Sequence, residues 1–288
     1  MRVIAFYTFF ELKEALDIKN EIKKFFKNIV TKGNILLGPE GLNGTIAIPE
    51  SYEQKTIGFL KDIGVKENNI KYSNLDSNKF FKKKLKIKIK KEIVTSDFNL
   101  TVDDIKKGQF IEPKNWENFI SQEDVSIIDT RNEYEFKIGH FKNAINPNID
   151  SFKEFKNYVE LNKDKFKNKK VAIYCTGGIR CEKAGPLMQK LGIDTFQLKG
   201  GILKYLEDTP ARSWVGECFV FDYRVSVDKN LNPGNKKLCY GCNMPLTEKE
   251  TLSRHYKEGF SCPNCHERLT DKRKRSLTDK REHWKRIS

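Results

Sequence analysis

The sequence predicts a mixed chain, part α+β and part α/β, built from two domains and a small cysteine-bearing module. Three observations predict it. Over residues 1–95 the segments alternate in the order strand, helix, strand, strand, helix, strand. Over residues 123–212 apolar strands alternate with amphipathic helices, which implies a parallel sheet covered on both faces. Over residues 213–288 two Cys-x-x-Cys pairs occur at zinc-ribbon spacing.

In the first part, Arg2–Phe10 reads as a strand and Glu11–Asn28 as an amphipathic helix. Residues 34–38 and 45–48 read as paired strands, with the turn placed at Asn43-Gly44 because Asn-Gly is a strong hairpin signal. Ser51–Ile63 reads as a helix and Ile70–Asn74 as a short strand, which completes a ferredoxin-like order. The domain closes on Phe80-Phe-Lys-Lys-Lys-Leu-Lys-Ile-Lys-Ile-Lys-Lys91. Alternation puts Lys84, Lys86, Lys88 and Lys90 on one face of a strand and Leu85, Ile87 and Ile89 on the other. A row of ammonium groups beside aromatics suits a phosphate backbone, and it equally suits an edge strand guarded against aggregation.

Residues 96–122 read as a connector, with a capping sequence at Thr101-Val-Asp-Asp104. The second domain is organised around Val171-Ala-Ile-Tyr-Cys-Thr-Gly-Gly-Ile-Arg-Cys181. A buried strand ends at Cys175, Gly177 and Gly178 let the backbone curl, and a helix starts near Cys181. Converging amides, the helix N-terminus and Arg180 favour an anion there, which lowers a thiol pKa and makes Cys175 a nucleophile. The alternative for a cysteine closing an apolar strand is a small core residue. Strands near 125–129, 170–174 and 195–198 and helices near 151–163, 181–191 and 202–208 complete the domain.

After it, Trp214–Asp228 reads as a two-strand element whose Cys218 is core. Cys239-x-x-Cys242 and Cys262-x-x-Cys265, separated by nineteen residues, form a zinc-ribbon pattern rather than a redox dithiol. Such a closed four-thiolate site is structural, with His255 and His266 as alternative ligands. The stretch Arg268–Arg286 is strongly basic and reads as a phosphate-gripping helix or as a solvated tail.

Hydrophobic residues make up 38% and charged residues 32% of the 288, a soluble globular composition. No segment is apolar for long enough to span a membrane or to act as a signal peptide. Seven cysteines without a secretion signal point to thiols and metal in a reducing cytoplasm. The net charge of +15 favours a polyanionic partner, nucleic acid first, although a Lys- and Asn-rich composition of the kind an AT-rich genome encodes would also produce it.

The loop Cys175-x-x-Gly178-x-Arg180 resembles the active-site loop of the rhodanese family, one residue shorter than that of the related phosphatases. Ile127-Ile-Asp-Thr-Arg-Asn-Glu-Tyr-Glu-Phe-Lys-Ile-Gly-His-Phe-Lys-Asn-Ala144 is similar to the family's upstream signature, with Asn143 where glycine is usual, and Leu198-Lys-Gly-Gly-Ile202 is similar to its last strand and turn. The whole chain further resembles the bacterial tRNA uridine(34) hydroxylases. Glu40-Gly-Leu-Asn-Gly-Thr-Ile-Ala47, Lys86–Val94, Cys175–Lys183 with its second cysteine, Glu217-Cys-Phe-Val-Phe-Asp222 and the four zinc-type cysteines carry that resemblance. It implies oxygen-dependent hydroxylation of the wobble uridine at C5, with tRNA as partner, molecular oxygen as co-substrate and zinc as a structural ion. No haem or flavin motif is visible. The expected catalytic residues are Cys175, Arg180 and Cys181, the last as a resolving thiol or by shaping the pocket. Gly177, Gly178, Lys84, Lys86, Lys88, Lys90 and Arg131 form the expected substrate-binding set. A rhodanese-type sulfurtransferase with a Cys175 persulfide is the alternative that the loop alone supports.

Overall fold

The computed structural model describes residues 1–74, 84–222, 224–242 and 244–287, with residues 74 and 280–287 described by backbone alone. Phe80 and Phe81, read above as aromatics beside the lysine row, lie outside these residues, as do the side chains of Lys280, Arg281, Lys285 and Arg286.

The first domain runs β1 (Arg2–Phe9), α1 (Ala15–Phe25), β2 (Lys32–Gly38), β3 (Gly41–Ile48), α2 (Glu53–Asp62), β4 (Ile70–Asn74) and β5 (Lys86–Ile89). Its sheet has the order β4-β1-β3-β2-β5, antiparallel except for the last pair. The ferredoxin-like order is therefore present, with β5 added at one edge. Ile4 and Phe6 of β1 pack with Ile22 and Leu60 of the two helices, while Tyr7 and Phe9 face the other way, against Ile93, Ile105 and Ile179. Both faces of β1 are covered, which explains why Val3–Phe9 is nearly continuously apolar instead of alternating.

The hairpin signal misplaced the turn. Gly38 pairs with Gly41, so the two-residue connection is Pro39-Glu40, and Asn43-Gly44 lies inside β3. Gly44 is there because a Cβ would stand 2.6 Å from the Phe6 ring, and Asn43 Nδ2 donates to the Ile93 carbonyl at 3.1 Å. Close packing accounts for Gly44 and a side-chain hydrogen bond for Asn43, with no part played by turn geometry.

The second domain runs α3 (Val102–Ile105), β6 (Gln109–Ile111), α4 (Pro113–Ile120), β7 (Val125–Asp129), α5 (Glu133–Ile138), β8 (Gly139–Phe141), α6 (Phe155–Asn162), β9 (Lys170–Tyr174), α7 (Cys181–Lys190), β10 (Asp194–Leu198) and α8 (Gly201–Asp208). Its sheet is all parallel, in the order β6-β10-β9-β7. Central β9 sends Val171 and Ile173 into the core under α6 and α7, and Ala172 and Tyr174 into the core under α8. The connector is shorter than the sequence implied, because β6 pairs with β10 and Trp116 of α4 is fully buried. The capping box at Thr101 and Asp104 is formed.

Beyond it come β11 (Trp214–Gly216), paired with β8, and the small hairpin of β12 (Cys218–Phe219) and β13 (Ser226–Val227). Trp214, Cys218, Val220 and Val227 complete the core under α8, so this stretch packs as part of the second domain rather than of the C-terminal module. The rest is β14 (Lys237–Leu238), β15 (Pro245–Leu246), α9 (Glu248–Thr251) and α10 (Asp271–Ile287), around a core of Cys239, Leu246, Cys262, Cys265, Leu269 and Leu277. Among the described residues no helix is long and apolar enough to cross a membrane.

Candidate active site

Strand β9 delivers Cys175 to the carboxyl end of the parallel sheet, where open α/β sheets place their ligands. The loop then turns back over the sulfur. Gly178, at φ 101°, donates its N–H to Cys175 Sγ at 3.1 Å. Burial alone would push the Cys175 thiol up, but a hydrogen bond from Cys181, the charge of Arg180 and the amides of Cys181 and Arg180 outweigh it and hold the thiol well below its usual range. These contacts favour the thiolate form of Cys175. Cys181, at the first position of α7, is pushed the opposite way by burial and by the Cys175 charge, and stays a thiol. The Thr130 hydroxyl lies 3.6 Å from its sulfur. Cys218 is inert core, pushed up to about 12 by burial.

Arg180 does not pair directly with the thiolate. Its guanidinium makes a bidentate pair with fully buried Glu135, at 2.6 and 2.8 Å. Glu135 also accepts from the Thr176 hydroxyl at 3.3 Å and caps the start of α5. Arg180 therefore acts on Cys175 through its field and fixes the loop. Its outer side faces the ring of Phe221 at 5.7 Å, and Phe221, edge-on to Phe219 at 5.0 Å, is 59% exposed. That leaves an aromatic face open next to the loop.

Arg131 is not a substrate-binding residue. It is 0% exposed, paired with Asp129 at 2.7 Å, donates to the Gly139 carbonyl at 2.6 Å, and lies between the Tyr174 and Trp214 rings. Its motif position ties the end of β7 to β8. Of the two loop glycines, Gly177 is partly exposed and Gly178 is buried. Lys84, Lys86, Lys88 and Lys90 are all exposed, as an alternating strand requires, with Leu85 and Ile87 against the first core. They occupy the edge opposite β4, about 19 Å across by strand spacing, so they do not join the loop.

Two residues that do join it had no signal in the sequence. Tyr7, from β1, lies over Gly178, where an added Cβ would be 2.9 Å from its hydroxyl. The same hydroxyl donates to Glu182 Oε1 at 2.7 Å. Lys71, from β4, donates to the Gly177 carbonyl at 3.2 Å and to the Gly200 carbonyl. Burial brings Lys71 down to about 8, against the pull of the Cys175 charge. Nothing local in either strand marks these residues, since they act on a loop more than a hundred positions away. The domains are locked by Lys183, 1% exposed, whose ammonium reaches Glu40 at 3.0 Å, Glu92 at 2.5 Å and the Val94 carbonyl at 3.1 Å. The Glu40 and Lys183 motifs quoted separately above thus meet in space.

In the C-terminal module the sulfurs of Cys239, Cys242, Cys262 and Cys265 all lie within 4.8 Å of one another. The pairs 239–265 and 242–262 stand at 3.7 Å and 262–265 at 3.8 Å. A regular tetrahedron with metal–sulfur bonds of about 2.3 Å has edges of about 3.8 Å, so these four residues fit a zinc ion. His255 and His266 stack on each other at 3.9 Å and are not in the cluster. Arg273 of α10 donates to the Tyr240 carbonyl at 2.8 Å and the Gly241 carbonyl at 3.2 Å, which fastens the basic helix to the first knuckle.

Comparison with known proteins matches residues 1–93 to the UPF0176 acylphosphatase like domain and residues 112–208 to the rhodanese-like domain. Among solved structures, a rhodanese-like domain protein of Staphylococcus aureus is 26% identical, over 34% of this chain and 90% of its own, with a TM-score of 0.29. A rhodanese-related protein of Thermoplasma volcanium is 24% identical, over 35% and 92%, with a TM-score of 0.29. A single-domain sulfurtransferase of Saccharomyces cerevisiae is 16% identical, over 37% and 94%, with a TM-score of 0.31. The chain thus joins a UPF0176 acylphosphatase-like first domain to a rhodanese-like domain, which is the domain architecture of the UPF0176 family.

Proposed function

We propose that this protein is a cytoplasmic tRNA-modifying enzyme that hydroxylates C5 of the wobble uridine, with molecular oxygen as co-substrate. One observation carries the reading. The first domain is built into the site, because Tyr7 and Lys71 rest on the cysteine loop and Lys183 ties both domains together. Transfer of a small sulfur group would need only the loop.

Uracil C5 is a weak nucleophile until a group adds at C6 and drives electron density towards C5. The Cys175 thiolate is suited to that addition. Arg180 and the loop amides keep it ionised, and the Cys181 thiol donates to it. Phe221 offers a face on which an unstacked base can rest, a common element of RNA recognition. The lysine edge of β5 and the basic α10 supply charge for the remainder of the tRNA.

The test is mass spectrometry of tRNA nucleosides from a strain lacking the gene, complemented with wild type or Cys175→Ser. Wild type restores 5-hydroxyuridine and Cys175→Ser does not. If neither the deletion nor the complementation alters 5-hydroxyuridine, the reading fails.

A second reading, sulfur transfer through a Cys175 persulfide, is favoured by the Gly178 N–H on Sγ and by the short loop, which suits a small anion. Thiosulfate:cyanide sulfurtransferase activity dependent on Cys175, together with unaltered tRNA, would select it.

A further inference from the structure

Buried carboxylates around the loop come with cations. Glu135 has Arg180, Asp129 has Arg131, and Glu40 has Lys183. Glu182 differs. It is half-buried in the first turn of α7, one residue past Cys181, and among the described residues no cation lies within ion-pair distance of it. Its partner is a phenol, the Tyr7 hydroxyl at 2.7 Å. That hydroxyl lies over Gly178, whose N–H holds the nucleophilic sulfur, so the tyrosine–carboxyl pair borders the reacting centre. Burial pushes the Glu182 carboxyl up, and the Cys175 charge adds to this, against the Tyr7 hydrogen bond. A carboxylate raised in this way is a better base, and raised carboxyls beside a nucleophile mark acid–base sites.

We propose that Glu182, positioned by Tyr7, is the general base that releases the hydroxylated uridine from Cys175. This rests on the hydroxylation reading above. At the end of that reaction Cys175 Sγ is bonded to C6, and C5 carries both the new oxygen and its original hydrogen. The Glu182 carboxylate takes that hydrogen as a proton. The C5–H electron pair becomes the C5=C6 double bond, and the C6–S pair returns to Cys175 as a thiolate. The proton rests on Glu182 and passes to solvent. The step consumes no oxidant or reductant, and it leaves the sulfur in its starting state.

Glu182→Gln and Tyr7→Phe, each in the full-length chain, are expressed in the deletion strain beside wild type. With Glu182→Gln, 5-hydroxyuridine falls about 10²-fold. The purified variant then carries tRNA that survives denaturing electrophoresis, and nuclease digestion leaves a nucleotide mass on the Cys175 peptide. Tyr7→Phe keeps the product but slows its formation and shifts its pH profile. Glu182→Asp recovers part of the activity. In the adduct-free fraction of Glu182→Gln, iodoacetamide labels Cys175 at the wild-type rate, which shows an intact loop. Loss of product without any adduct, or retention of full activity, overturns the assignment. If wild type itself forms no 5-hydroxyuridine, the hydroxylation reading has failed and this step falls with it, an outcome distinct from loss in the variant alone.

Discussion

Replacing Lys183 with methionine tests the lock between the domains. The side chain is 1% exposed, and its ammonium serves two carboxylates and a carbonyl from the first domain and its extension. Methionine keeps the length and apolar stem but leaves Glu40, 8% exposed, beside Glu92 with no cation. Removing one partner of a buried ion pair costs about 3–5 kcal/mol. At about 1.4 kcal/mol per factor of ten, the docked state loses on the order of 10²- to 10⁴-fold against the undocked one. Undocking lifts Tyr7 and Lys71 from the loop, and Cys175, now 1% exposed, meets solvent. The assay is the rate of iodoacetamide labelling at Cys175, read by peptide mass spectrometry, beside the melting temperature. Labelling rises and melting falls in Lys183→Met. Adding Glu40→Gln and Glu92→Gln removes the stranded charges and restores part of the loss. Acid should mimic the variant with a defined sign. Burial opposes ionisation of Glu92, but Lys183 and the Ser96 and Asp97 amides hold its carboxyl down at about 2. Its contribution is therefore complete above the ordinary glutamate value of 4.5 and is lost as pH falls through about 2. Unchanged labelling and melting in Lys183→Met would refute the reasoning.

Three further outcomes are expected. Purified protein should hold about one zinc per chain, and Cys262→Ser should release it and make residues beyond about 235 sensitive to protease while the first two domains still melt cooperatively; a metal-free protein with a protected C-terminus would contradict this. Cys181→Ala removes the donor to the Cys175 sulfur, so the pH midpoint of Cys175 alkylation should move up, and a fixed midpoint would assign the low value to Arg180 and the amides alone. Neutral replacement of Lys84, Lys86, Lys88 and Lys90 should lower the slope of log tRNA affinity against log salt by about 3, whereas an unaltered slope would make the row an edge guard.

Local signals determined much of this protein. Strand and helix periods located the longer elements of both domains but not the short ones at Gln109–Ile111, Pro113–Ile120, Glu133–Ile138 and Gly139–Phe141, since a repeat needs length to show. The loop from Cys175 to Cys181 was legible because strand end, glycines and helix start are contiguous in sequence. The paired Cys-x-x-Cys spacing identified the thiolate cluster for the same reason. What failed was information about direction and distant neighbours. The motif containing Arg131 was visible, but not that its side chain turns inward to Asp129 and two aromatic rings. Asn43-Gly44 has turn composition, and only the Phe6 ring packed on Gly44 shows why it lies in a strand. Gln109–Ile111 is too short to announce itself, and β10 makes it an edge strand. Tyr7, Lys71 and Glu182 come together because the open face of the first sheet docks on the loop of the second. Their meeting depends on how two surfaces pack, and no stretch of either strand encodes that by itself. The position of Cys175 in a strand–loop–helix turn and the gathering of four cysteines were legible in contiguous residues; the groups that surround Cys175 were not, because docking brings side chains from different domains within hydrogen-bond reach.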